Sequence, residues 1–154
     1  MDCVLLETFY GNELSKQMTL KEAIDRIQID GLLNSGELAE RAISKKSGIA
    51  LCNPMTPNID TVSGKQIKYA TVGKGVNSKY YKAYISRNTT APILCVITNP
   101  ILGEQYFLHI PYSAHYHLSG SCLAISFGTS GKPGASWLWH YEVDSFDELC
   151  NLAK

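Results

Sequence analysis

The sequence predicts an α+β domain, with N-terminal helices followed by a mixed, mostly antiparallel β-sheet. Three observations lead there. Apolar residues recur at helical spacing through the first 48 positions, then give way to β-branched and alternating segments from Ile59 onward. The breaks between segments fall on Gly, Pro and Asn clusters, the residues that turns require. With 154 residues, 45% of them hydrophobic, the chain is long enough for one domain around one sizeable core.

Each element follows from a local signal. Thr19-Leu20-Lys21-Glu22 is a capping box, and Leu20, Ile24 and Ile27 follow it on one face, so a helix is expected over 20–29, stopping near Gly31. Ser35 opens a second helix with Leu38, Ala39, Ala42 and Ile43 on its apolar side and Gly48 as the stop. Asn53–Asn58 is a loop, because Pro54 and Pro57 cannot join a ladder. Residues 59–62, the turn Ser63-Gly64 and residues 66–72 read as a hairpin. After a loop at 73–78, strands are expected at 80–86, 93–98, 105–110, 122–127 and 136–143, with 93–98 central and Pro111 a stop. Ser145-Phe146-Asp147-Glu148 is a second capping box and begins a short C-terminal helix.

Composition narrows the class. Charges interrupt every apolar run before it reaches membrane-spanning length, and Met1-Asp2-Cys3-Val4 lacks the basic-then-apolar order of a signal peptide. The expectation is a cytoplasmic protein with no membrane partner. Five cysteines at wide, irregular spacing include no CxxC or CxxH pair, which fits free thiols in a reducing compartment better than a zinc site.

The net charge is zero, but its distribution is uneven. Residues 1–60 carry a net −3 and residues 104–154 another −3, whereas residues 61–103 hold six Lys and Arg and no Asp or Glu. A purely basic middle third points to an anion-facing surface, with nucleic acid the commonest such anion. Lys65, Lys74, Lys79, Lys82 and Arg87 are its candidate contacts, and Tyr69, Tyr80, Tyr81 and Tyr84 among them can stack on bases or pack in strands. The competing use of such lysines is to discourage pairing at sheet edges.

Chemistry concentrates at residues 58–68. Gln66 and Lys68, two apart on a strand, share a face, and Asp60 on the preceding arm can reach the same side. An acid, an amide oxygen and a lysine at one sheet edge are enough to begin a magnesium site. Asp60, Gln66 and Lys68 are therefore candidate catalytic residues, with Asp60 and Gln66 as metal ligands. The plainer use of the same residues is a turn cap and a solvent-facing alternation.

This segment resembles the PD-(D/E)XK nuclease superfamily, in which a helical glutamate precedes a strand aspartate and then a (D/E/Q)-x-K strand. Ser35–Ile43 is similar to the first helix, with Glu40 as its carboxylate; Asp60 matches the aspartate, and Gln66-Ile67-Lys68 the final motif, in the Q-x-K form of the Mrr-like branch. The resemblance spans roughly residues 35–112. It implies a restriction-endonuclease-like core and a DNA endonuclease using Mg²⁺ or Mn²⁺. Glu40, Asp60 and Gln66 would be the metal ligands, Lys68 would assist the attacking water, and cutting both strands implies a homodimer.

Other motifs are less directive. His115-Tyr116-His117 puts two imidazoles on one face if extended, which suits zinc or general-base work as well as packing; His109 and His140 lie elsewhere. Trp137 and Trp139 would share one face of a strand. No phosphate loop and no G-x-S-x-G elbow occurs. The leading expectation is thus a metal-dependent DNA endonuclease or a degenerate relative. The alternative is a non-catalytic α+β module binding nucleic acid or a small ligand.

Overall fold

The structure, a computed structural model, describes residues 35–53, 59–75, 78–87 and 90–154. The helix expected over 20–29 lies outside the described residues. The elements are α1 (Gly36–Ser47), β1 (Gln66–Thr71), β2 (Gly73–Lys74), β3 (Tyr81–Ser86), β4 (Ile93–Asn99), β5 (Glu104–Ile110), α2 (Tyr112–His115), β6 (Cys122–Phe127), a 3₁₀ turn (Trp137–Tyr141), β7 (Glu142–Val143) and α3 (Phe146–Asn151). This is an α+β fold with a mixed, mostly antiparallel sheet arrangement, as the sequence predicts. No described helix is long and apolar enough to cross a membrane.

Local chemistry sets the helix ends. The Ser35 hydroxyl accepts from the Leu38 amide at 3.2 Å. Gly48, at φ 76°, donates its N–H to Ser44, the left-handed stop that glycine alone takes without strain. At α3 the Ser145 hydroxyl accepts from the Glu148 amide at 3.1 Å. The Glu148 carboxylate reaches one residue further back than in a standard capping box, to the Asp144 N–H at 3.0 Å.

One sheet has the order β1-β4-β5-β7, with β1 and β4 parallel and the other pairs antiparallel; the second is antiparallel, in the order β2-β3-β6. All seven residues of β4 are buried, because both of its faces and both of its edges are covered. Leu94 and Val96 pack with Ile67 against Leu38, Ala39, Ala42 and Ile43 of α1 and Leu149 of α3. On the other face, Ile93, Cys95 and Ile97 meet Ala83 and Ile85 of β3 and Leu123 and Ile125 of β6. The layers are therefore helices, four-stranded sheet and three-stranded sheet.

Four expectations need correction. The hairpin over 59–72 reduces to a tight reversal, because the amides of Asp60 and Thr61 both bond to the Lys65 carbonyl. Residues 60–62 pair instead with 50–52, through Cys52 N–H to Asp60 O and Val62 N–H to Ala50 O. Residues 73–74, expected in a loop, pair with β3. Residues 136–141 are not strand: Ser136 caps the Leu138 amide and starts a 3₁₀ turn, leaving only Glu142–Val143 extended. Trp137 and Trp139 consequently part, Trp137 being 49% exposed while Trp139 packs edge-on to Tyr106 and Phe127. Finally, residues 112–115 are helical, so His115 is buried and His117 exposed rather than paired on one face.

Lys65 is turned to an internal use. Its ammonium donates to the carbonyls of Leu152 and Lys154, and the Ser63 hydroxyl donates to Ala153, tying the 61–65 reversal to the end of α3. Lys65→Met keeps the aliphatic stem but loses these charge-assisted bonds, and should cost about 1–3 kcal/mol in urea denaturation. An unchanged unfolding midpoint would show that the tie contributes nothing.

Candidate functional site

The site is built around the outer edge of β1. Strand alternation sends the N–H groups of Gln66 and Val72 toward β4, where they bond to Pro92 O and Thr98 O, so the N–H of Ile67 faces away from β4. Asp60 Oδ2 accepts that N–H at 2.8 Å. The 61–65 reversal, with Gly64 at φ 86°, brings the carboxylate back over the strand it precedes. A carboxylate holds about four lone-pair sites, so one backbone bond leaves it able to bind further.

Glu40 approaches from α1, which packs on the helix-facing side of β1. Glu40 and Asp60 line one cleft of about 330 Å³, together with Glu37, Arg41, Cys52 and Asn53. Burial pushes the Glu40 carboxyl up to about 7, and the neighbouring Asp60 and Glu37 charges push the same way against Arg41 and Lys68. The cleft thus holds carboxylates that repel one another, a surplus of negative charge that a cation relieves. Glu37 and Arg41 were not among the candidates from the sequence. The signal for Glu37 is its i, i+3 spacing from Glu40, which puts both on one helix face.

Lys68 and Gln66 sit differently. Lys68 is in register with Cys95 and shares its face, the one turned toward the second sheet. Its charge reaches both Glu40 and Cys95, but its side chain does not line the cleft. Gln66 lies on the same face as Lys68, and its Oε1 is buried without a hydrogen-bond partner among the described residues. The four candidates therefore surround the edge of β1 rather than sharing one cleft: Glu40 and Asp60 meet, while Gln66 and Lys68 lie across the strand.

The donor set fits a hard cation in part. The two carboxylates are oxygen ligands of the kind that Mg²⁺ or Mn²⁺ takes, with water filling the rest, whereas the Gln66 amide oxygen lies across the strand from them. Among the described residues, no three His, Cys, Asp or Glu side chains lie close enough to hold a metal between them. Among the described residues the histidines join no such cluster either. Burial, together with the Lys65 charge, lowers the His109 pKa. His115 is also lowered by burial, and its ring nitrogen contacts Ala91 O at 3.3 Å.

The candidate cations divide into two groups. Lys65 and Arg87 are committed to backbone carbonyls: Arg87 donates to Gly120 O and His115 O, each at 2.5 Å, clasping the end of β3 to the 115–120 loop. A planar guanidinium at a strand end finds such carbonyls readily, which charge counting along the chain does not reveal. Lys74, Lys79 and Lys82 are exposed. The Lys74 ammonium lies 5.4 Å from the centre of the Tyr81 ring.

The raised Glu40 makes stability depend on pH in a defined direction. The folded chain holds this proton more tightly than the unfolded chain, so the contribution is full below pH 4.5 and is lost as pH rises through about 7. Glu40→Gln should therefore raise the melting temperature above wild type at pH 8 and leave it nearly unchanged at pH 4.5. Melting temperatures that differ by the same amount at both pH values would contradict the raised Glu40 carboxyl.

No protein-family model matches the sequence, and no curated protein matches it, so the reading of function rests on the cleft and the surface around it.

Proposed function

We propose that the chain is a metal-dependent DNA endonuclease with a restriction-endonuclease-like core, or a relative of one that retains DNA binding. The observation that carries this reading is the meeting of Glu40 and Asp60 in one cleft at the edge of the Gln66-Ile67-Lys68 strand, where burial first and the Asp60 charge second raise the Glu40 carboxyl to about 7. Exposed Lys74, Lys79 and Lys82 add a basic surface on and beside the second sheet, apart from the cleft, to which a polyanion can bind.

In the reaction, a water oxygen bonds to phosphorus while the P–O3′ bond breaks, giving a 5′-phosphate and a 3′-hydroxyl. Glu40 and Asp60 would hold a divalent cation, which supplies charge neutralisation at the phosphate and a more acidic water. Glu40, raised to about 7 in the free protein, gives up its proton as the cation binds and so adds a second oxygen ligand beside Asp60. Asp60 contributes a fixed negative charge, oriented by its bond to the Ile67 amide. Lys68 sets positive charge at the same strand edge, where it favours the extra charge developing on phosphate. A second copy of the chain would provide the second site for a double-strand cut.

A non-catalytic DNA-binding relative is the second reading. It is favoured by Gln66 and Lys68 lying outside the cleft lining and by the lack of a three-ligand cluster among the described residues.

The test is cleavage of supercoiled plasmid with Mg²⁺ or Mn²⁺. Wild type should nick or linearise it. Asp60→Asn, which keeps an acceptor for the Ile67 amide but removes the charge, should lower the rate by ~100-fold or more, as should Lys68→Ala. Wild type that binds plasmid yet leaves it intact with both metals would discard catalysis and leave the binding relative.

A further inference from the structure

The outer face of β2-β3-β6 has a design unrelated to the cleft. On β3 the exposed residues are Lys82, Tyr84 and Ser86, and on β6 they are Cys122, Ala124 and Ser126. Register sets Lys82 opposite Ser126, Tyr84 opposite Ala124 and Ser86 opposite Cys122. The result is a flat floor of small side chains from which one aromatic ring, Tyr84, projects with 59% of its surface exposed. Ala124 and Cys122 also line a groove of about 230 Å³ with Leu118 and Trp137. Trp137 is half exposed there, its ring braced edge-on by Tyr141 at 6.1 Å. Tyr84 thus stands on the strand next to β6, and Trp137 lines the groove that β6 borders.

We propose that this face, with Tyr84 and Trp137 as stacking rings, binds single-stranded nucleic acid. Charge selects a polyanion: β2, β3 and β6 contain no Asp or Glu, and Glu104 is the sole acid between positions 61 and 141. The Glu104 carboxylate accepts the Tyr106 hydroxyl at 2.8 Å, on the other sheet. Exposed Lys82 lies on this face, while exposed Lys74, opposite Tyr81, and Lys79, just before β3, lie at its β2–β3 edge. The rings select unpaired bases, because every base offers a π-face once it leaves a duplex, whereas a duplex would use the lysines alone. The four-stranded sheet separates this face from α1, so the inference goes beyond the cleft and holds whether or not the cleft cuts.

The test is binding of fluorescein-labelled oligothymidylate and oligouridylate to the full chain in EDTA, where cleavage plays no part. Both oligomers should bind, more tightly than a duplex of equal length, and should quench tryptophan emission. Tyr84→Ala and Trp137→Ala should each weaken binding by about fivefold to a hundredfold, with little change in the salt slope. Lys82→Ala should instead flatten that slope by about one phosphate contact. Tyr84→Phe retains the ring and should bind as wild type does, and Trp137→Phe should bind but lose most of the quenching. Equal affinity of the two alanine variants and wild type, tighter binding of duplex, or equal competition by polyglutamate would overturn the proposal. Because the assay reads binding without metal, its failure is distinct from failure of the plasmid cut.

Discussion

The carboxylate of Asp60 on the Ile67 amide is the contact from which the site is organised. Among the described residues β1 pairs with β4 on one side only, and its outward N–H groups need partners. An acidic side chain at that edge satisfies one of them with a charge-assisted bond and fixes a negative charge there. The reversal at 61–65 makes this possible by folding residues 60–62 onto 50–52, which positions Asp60 beside the α1 segment carrying Glu37, Glu40 and Arg41. Lys65 and Ser63 then bind that reversal to the end of α3. One short turn therefore joins the edge of the sheet, the cleft and the C-terminal helix.

The same turn explains why the cleft is electrostatically tense. Glu40 belongs to a helix whose apolar side is buried against Ile67, Leu94 and Val96, so it cannot retreat from Asp60 without unpacking the helix. Burial first, and the Asp60 and Glu37 charges after it, raise its pKa, and the opposing charges of Arg41 and Lys68 only partly offset this. Such a frustrated pair is a common cost of binding or catalytic sites and has little value for stability alone.

Much of the fold is legible in the sequence because its signals are local. Ser35 and Gly48 mark both ends of α1, the apolar run at 93–98 announces the buried central strand, and alternation at 122–127 gives β6 its two faces. The misreadings occur where tertiary packing outweighs the local pattern. Ser136–Tyr141 alternates like a strand, but Leu138 and Trp139 enter the core from a 3₁₀ turn capped by Ser136. The site was legible in part. Glu40 and Asp60 meet, but the period-two argument for Gln66 and Lys68 does not say that α1 covers the opposite face of their strand. The basic middle third likewise hides two roles: Lys65 and Arg87 bind carbonyls, and only lysines such as Lys74, Lys79 and Lys82 remain exposed to solvent. Linear charge counts cannot separate these roles, because the partners are 28 to 89 residues away in sequence.

The central claim is that Glu40 and Asp60 form a cation site whose repulsion is relieved by binding. Titration of the Glu40 side-chain carboxyl by ¹³C NMR, with and without Mg²⁺, tests it most directly. Without the ion the carboxyl should titrate near pH 7, and saturating Mg²⁺ should bring it down toward the ordinary glutamate range, because the cation competes with the proton. An ordinary value in the free protein, or a raised value that Mg²⁺ leaves in place, would contradict the claim.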